Sequence, residues 1–209
     1  MIWAQTANFV LGLLASLVGW LAIALLLTPR LKVSRLNRIQ QDRIRHPSGY
    51  RYRVKLINRS RYFAVGDLNL HARLVIPGLD KARPDARTSI YLPVGTDTPF
   101  PVLSRRSKRE PDGEWERVYT INYLDMVGNG VSRLSPEIQD QLESRTITLH
   151  ELLQIYPGSF IRFAVAGTHG RSGVRRTYIT KFDIFTITEG EFQSGSIGLK
   201  SGPTTEASK

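Results

Sequence analysis

Residues 51–58 read RYRVKLIN, and along most of this stretch apolar side chains alternate with cationic ones. In an extended chain, Tyr52, Val54 and Leu56 lie on one face and the cations lie on the other. This period of two predicts a strand with one buried and one solvated face. The polar residues at 58–60 are typical of turns and end the predicted strand.

The same period recurs along the chain, with turn residues between the apolar segments. Pro111-Asp112-Gly113 predicts a long hairpin between two of these segments, and the glycine-rich residues 167–173 predict a last hairpin. We therefore expect a mainly β protein with an antiparallel β-sandwich over residues 49–196. An immunoglobulin-like arrangement is the first choice, and a β-barrel is the alternative. The further predicted strands cover residues 68–76, 88–94, 100–103, 115–123, 159–166 and 176–188.

A short helical insertion interrupts the strands. Ser135 followed by Pro136 matches the N-cap and first position of a helix, which we predict to run to Arg145. A second helical turn is predicted over residues 148–153. Residues 197–209 are rich in Gly, Ser and Thr without an apolar period, and we predict a disordered tail.

The amino-terminal residues 1–29 contain no charged side chain and no histidine. Residues 9–27 are almost wholly apolar and would extend about 28 Å as a helix, close to the thickness of a bilayer core. A cleaved signal peptide would need a basic start, a shorter apolar core and small residues at the cleavage site, and these are missing. We predict a single transmembrane helix that serves as a signal-anchor.

The span is followed by a basic juxtamembrane neck at residues 30–48. Since cations collect on the cytoplasmic side of a span, this flank places the amino terminus outside and the carboxyl-terminal domain in the cytoplasm of a cell membrane. The cations either bind anionic lipid headgroups or only fix the topology. They are Arg30, Lys32, Arg35, Arg38, Arg43 and Arg45.

Small residues form a stripe along the predicted span, at steps of three and four that keep them on one helix face. Such stripes allow close helix packing, so a homo-oligomer formed through this helix–helix interface is a hypothesis. The alternative is that glycine and serine are simply common in spans. The stripe consists of Asn8, Gly12, Ser16, Gly19 and Ile23.

A search for chemistry finds no catalytic or nucleotide-binding motif. The chain has no cysteine, and its four histidines are too far apart in sequence to predict a metal site, so we predict no catalytic residue, metal or cofactor. A basic hairpin tip is predicted to bind an anion or a partner, with a second membrane contact or plain solvation as alternatives. Its cations are Arg105, Arg106, Lys108 and Arg109.

The formal net charge of +11 first points to nucleic acid, but much of the excess lies in the neck, so nucleic acid is not the partner we expect. The sequence predicts a non-enzymatic, single-pass membrane protein whose β-sandwich binds, senses or recruits a cytoplasmic protein or ligand. The alternative is an oligomerising, membrane-disrupting or channel-like effector whose soluble domain senses a ligand. A third hypothesis is an enzyme whose site assembles only in three dimensions.

Overall fold

The structure is a computed structural model, and it describes residues 2–41, 48–60, 63–80, 82–83, 85–95, 102–105, 115–194 and 196–200. Helix α1 covers Ile2–Leu26, and its side chains are described at Thr6 and at residues 8–23. Among the described residues, no helix combines the length and the apolar character needed to cross a membrane.

A mainly β domain follows α1, with two short helices inserted late in the chain. The helices are α2 (Pro136–Glu143) and α3 (Leu149–Ile155). The strands are β1 (Leu31–Val33), β2 (Asn37–Gln40), β3 (Tyr50–Asn58), β4 (Val65–Pro77), β5 (Arg87–Leu92), β6 (Val94–Gly95), β7 (Glu116–Ile121), β8 (Phe160–His169), β9 (Arg175–Phe182), β10 (Thr188–Glu189), β11 (Glu191–Phe192) and β12 (Leu199–Lys200).

Most of these strands form two open sheets. The first sheet has the order β10-β2-β3-β7-β6, with β1 also pairing with β3, and it is antiparallel except where β10 runs parallel to β2. The second sheet has the order β5-β4-β8-β9 and is antiparallel throughout. Because the described strands form two open sheets and no closed barrel, the barrel alternative is wrong.

Both sheets contribute to one hydrophobic core. Tyr52, Val54 and Leu56 of β3 are fully buried, which confirms the face predicted from the alternation. They share a cluster with residues of the second sheet such as Leu74 and Phe163. The period of two therefore placed the core side of the strand correctly.

The region predicted as a neck differs from the prediction in part. Residues 31–40 form β1 and β2, which pair with β3, and Leu31 and Leu36 are buried in the core. The segment has neither a helical nor an alternating sequence pattern, because each of its strands is only three or four residues long. Residues 42–47, which include Arg43 and Arg45, lie outside the described residues.

The predicted long hairpin around Pro111-Asp112-Gly113 is wrong. β7 pairs with β3 and β6, whereas Leu103 forms a bridge with Val65 of β4 in the other sheet. The turn residues themselves lie outside the described residues. The last predicted hairpin is confirmed, since β8 and β9 pair in antiparallel register from Ile161 to Thr168.

The two predicted helices are present. α2 begins at Pro136 with Ser135 as its N-cap. α3 begins with a capping box, in which the Thr148 hydroxyl accepts from the Glu151 amide at 3.1 Å and the Glu151 carboxylate accepts from the Thr148 amide at 2.7 Å. In the predicted tail, β12 pairs with β11, and residues 201–209 lie outside the described residues.

Candidate anion-binding surfaces

A row of three cations crosses the outer face of the second sheet. Arg73 of β4 lies directly opposite Arg162 of β8, and Arg162 lies directly opposite Lys181 of β9. All three side chains are exposed. Since neighbouring strands are about 4.8 Å apart, the row places the backbones of three cationic residues within roughly 10 Å across the strands. Tyr91 of β5, opposite Arg73, lies at the end of the row.

The row lies along a groove of about 550 Å³, which we call the basic groove. The Lys181 ammonium lies 5.2 Å from the centre of the Phe160 ring, a cation–π contact inside the groove. Of the described residues that line the groove, four are cations and none is acidic. They are Arg73, Val75, Arg87, Ser89, Phe160, Arg162, Ile179 and Lys181.

No acidic side chain in the described part of the chain compensates the charges in the basic groove. Within the described residues, none of its four cations forms an ion pair, whereas Arg133 and Arg145, on other surfaces, each pair with a carboxylate at 3.0 Å. Like charges directly opposite on neighbouring strands destabilise a sheet. The arrangement of Arg73, Arg162 and Lys181 is therefore one that a bound anion would stabilise.

A second group of exposed cations surrounds the junction of α1 and the β domain. At this junction the turn between β8 and β9 contacts the chain that leaves α1, because the Ser172 hydroxyl donates to the Leu27 carbonyl at 3.2 Å and the Tyr178 hydroxyl donates to the Pro29 carbonyl. The Arg59 amide donates to the Arg30 carbonyl at 2.7 Å. We call this group the basic collar, and it consists of Arg30, Lys32, Arg59, Arg171, Arg175 and Arg176.

Of the predicted headgroup ligands, Arg30 and Lys32 belong to the basic collar. Arg35 is exposed beside residues 197–199, and Arg38 forms an ion pair with Glu189 at 2.9 Å and covers the Tyr50 ring. Burial acts to lower the pKa of Arg38, but the hydrogen bond and charge of Glu189 outweigh it, so the pKa is raised. Arg38 is therefore engaged within the protein.

The predicted helix–helix stripe is exposed on α1, and a methyl group built on Gly12 or Gly19 meets nothing within 4 Å in the described part of the chain. The stripe thus stays a prediction. In the predicted basic tip, Arg105 is exposed, and Arg106, Lys108 and Arg109 lie outside the described residues.

A buried histidine lies inside the junction between α1 and the β domain. His169 is 1% exposed, its Nδ1 accepts from the Ser172 amide at 3.1 Å, and its ring packs on Phe63. Burial lowers the pKa of His169, and the charge of Arg171 lowers it further. The neutral imidazole therefore holds the turn that contacts the end of α1.

Part of the outer face of the first sheet lies under residues 191–194 and 196–200, which we call the strap. Lys55 points to this face, yet its side chain is 2% exposed, because its ammonium donates to the Gln193 carbonyl at 2.6 Å and pairs with Glu116 at 2.9 Å. Phe192 of the strap lies over Arg53, 5.8 Å from guanidinium carbon to ring centre. Lys55, which the alternating sequence pattern places on the solvent-facing side of β3, is thus buried under the strap.

Two buried tyrosines, Tyr52 and Tyr123, form a polar cluster with the backbone of residues 147–150. The Tyr52 hydroxyl accepts from the His150 amide at 3.2 Å, and the Tyr123 hydroxyl donates to the Ile147 carbonyl at 3.0 Å. Burial raises the pKa of both phenols, so they stay neutral at pH 7. Among the described residues, no three His, Asp or Glu side chains are grouped to hold a metal ion.

No protein family and no curated protein matches the chain. The two basic surfaces and α1 are therefore the features that point to a function. The basic groove was not predicted from the sequence, although Arg73, Arg162 and Lys181 each occupy an outward position of an alternating strand. Only the strand order brings these three residues together.

Proposed function

We propose that the protein is a non-enzymatic, membrane-anchored binding module, in which α1 is held in a bilayer as a single span and the β-sandwich presents the basic groove to the cytoplasm. The described part of α1 does not by itself have the length and apolar character of a membrane span, so the proposal is carried by the uncharged sequence of residues 1–29 together with the exposed apolar side chains of α1. The groove supplies the surface for recruitment or sensing.

The exposed side chains of α1 support the anchor. Phe9 is 71% exposed, Trp20 is 66% exposed and Leu17 is 55% exposed. Each large apolar side chain gains about 1.5–3 kcal/mol when it leaves water, so a helix with many of them favours a lipid environment. Contiguous apolar surface of this kind marks a membrane or protein contact.

The basic collar supports an orientation with the junction at the membrane surface. Its six exposed cations surround the point at which the chain leaves α1, where Ser172 and Tyr178 bond to the carbonyls of Leu27 and Pro29. A cation near an anionic leaflet contributes about 1 kcal/mol. The collar therefore extends the headgroup contact predicted from Arg30 and Lys32 to the turn at 169–176.

The strand order supports an immunoglobulin-like arrangement. In such sandwiches one sheet has the order A-B-E-D and the other has C and F adjacent with G outside. Here β2-β3-β7-β6 corresponds to the first order and β5-β4-β8-β9 to the second, with β5 as an added edge strand. Because many binding modules share this arrangement, the fold agrees with binding but does not define the ligand.

The anchor is tested by fractionating cells that express the full chain. We expect the protein in the membrane fraction, resistant to alkaline carbonate and released by detergent. A fluorescent reporter fused after Lys209 should be active, and a periplasmic phosphatase fused at the same point should be inactive. Release by carbonate alone would refute the anchor, and phosphatase activity would refute the cytoplasmic orientation.

The collar is tested with the triple variant R171Q/R175Q/R176Q. The variant should remain in the membrane fraction, while limited proteolysis in vesicles that contain anionic lipid should become faster, because the domain is held less closely to the surface. In zwitterionic vesicles the variant and the parent should be cleaved equally. Equal cleavage in both lipids would contradict the assignment of the collar to headgroups.

A further inference from the structure

We infer that the basic groove binds a soluble ligand that carries two or more linked phosphate groups. This ligand class deepens the proposed function. It rests on that function at one point, because lipid headgroups are excluded as the ligand only if α1 holds the domain at a bilayer. Its central feature is the cross-strand row of Arg73, Arg162 and Lys181.

The row matches a polyphosphate in charge and in hydrogen bonding. Two linked phosphates carry more negative charge than one carboxylate and expose acceptor oxygens on several sides. Arginine donates from a planar fork that matches phosphate oxygens, and a lysine ammonium adds a compact charge. With Arg162 between Arg73 and Lys181, one such anion contacts all three donors and removes the repulsion between them.

The position of the row argues against the headgroups of the anchoring bilayer. Arg162 lies seven positions before His169 along β8, and the turn that follows His169 contacts the chain leaving α1. At about 3.3 Å per residue this is roughly 23 Å along the strand. Exposed charges interact over a screening length of about 8 Å at physiological salt. The groove is thus separated along β8 from the junction by more than two screening lengths, which favours a ligand that comes from solution.

The size and lining of the groove favour a small ligand over a macromolecule. Its volume of about 550 Å³ lies within the range of small-molecule sites. The cations converge on one short row, whereas a track for a nucleic acid would follow an extended path. Phe160 and Ile179, which also line the groove, offer apolar surface to an organic group attached to the phosphates.

The test measures binding to the full chain in nanodiscs of zwitterionic lipid by titration calorimetry. The probes are inorganic pyrophosphate, tripolyphosphate and ATP, with orthophosphate and poly-glutamate for comparison. The groove variants are R162Q and R73Q. The matched control is R145Q, which also removes one positive charge but at an exposed ion pair after α2.

The inference predicts that the linked phosphates bind more tightly than orthophosphate, and that R162Q and R73Q each weaken binding about tenfold or more, since each loses a charge-assisted hydrogen bond. R145Q should bind as the parent does. Equal weakening by all three variants would overturn the site, because the effect would then follow net charge alone. Binding of poly-glutamate without the linked phosphates would overturn the ligand class in favour of an acidic protein segment.

A second measurement separates ligand binding from folding. Without ligand, R162Q should unfold at the same temperature as the parent or at a higher one, because the repulsion within the row is relieved. Pyrophosphate should raise the unfolding temperature of the parent and of R145Q but not that of R162Q. A shift of equal size in R162Q would overturn the inference. Displacement of pyrophosphate from the nanodisc-held protein by anionic vesicles would overturn the inference that the ligand is soluble. Failure of the proposed anchor would appear only in the carbonate extraction.

Discussion

Replacing Lys55 by methionine should destabilise the protein although the residue lies on the solvent side of an alternating strand. The side chain is 2% exposed and its ammonium contacts the Glu116 carboxylate at 2.9 Å and the Gln193 carbonyl at 2.6 Å. Methionine keeps the unbranched chain and roughly the volume, so K55M removes the charge with little loss of packing. The substitution leaves Glu116 facing an apolar side chain beneath the strap.

The size of the effect follows from the burial of the two partners. Removing one partner of a fully buried ion pair costs about 3–5 kcal/mol, because the remaining charge is left uncompensated. The Glu116 side chain is 18% exposed, so water stabilises its charge in part. We therefore expect K55M to lower the free energy of unfolding by about 2–3 kcal/mol. The double variant K55M/E116Q should lose less than the sum of the single variants, by about 1–2 kcal/mol, because the two side chains are in direct contact.

The assay is urea unfolding of the full chain in nanodiscs, followed by the fluorescence of the buried Trp115 in a Trp3→Phe/Trp20→Phe background. Hydrogen exchange should also become faster around Gln193 in K55M, since that carbonyl loses its donor. A change in unfolding free energy below about 0.5 kcal/mol, typical of a surface position, would refute the argument. Exact additivity of K55M and E116Q would show that the two side chains do not interact.

Three further predictions concern the junction and the core. Because the pKa of His169 is lowered in the fold, the unfolded chain binds more protons than the folded one below about pH 6.5. The free energy of unfolding should therefore be highest above that pH and fall as the pH decreases from there through the lowered pKa, by at most about 1.4 kcal/mol per pH unit. H169Q should flatten this profile in unfolding measured from pH 8 to pH 5. G167A should cost about 1–3 kcal/mol in urea unfolding, because its methyl would lie 2.5 Å from a side-chain carbon of β4, while G66A, with nothing within 4 Å, serves as the control. T148A should lower stability by about 1 kcal/mol through loss of the α3 cap, and T148S should restore most of it in the same measurement.

Local patterns predicted the elements whose partners lie close in sequence or whose burial alternates cleanly. The alternation at 51–58 fixed the buried face of β3, and Ser135-Pro136 marked the start of α2. The hairpin around 111–113 failed because a turn motif indicates a reversal of the chain but does not say which strand pairs next. β7 pairs with β3, about sixty residues earlier, and that choice depends on the whole core.

The candidate site was less accessible to sequence reasoning than the fold. Arg73, Arg162 and Lys181 are spread over more than a hundred residues, and each alone is an ordinary outward cation on a half-buried strand. Their proximity depends on the order β4-β8-β9 and on the exact register of both pairings. A shift of one residue in either register would turn the row inward or separate it.

The distribution of positive charge explains why net charge alone indicates the wrong partner class. Some cations are neutralised within the fold, as Lys55 is by Glu116 and Arg38 is by Glu189. Others surround the end of α1, and a third set forms the short row in the basic groove, about 23 Å away along β8. Because these sets are separate, no continuous basic path connects them into a track for nucleic acid among the described residues. The positive charge thus favours two different contacts: the basic collar with a membrane surface and the basic groove with a compact anion.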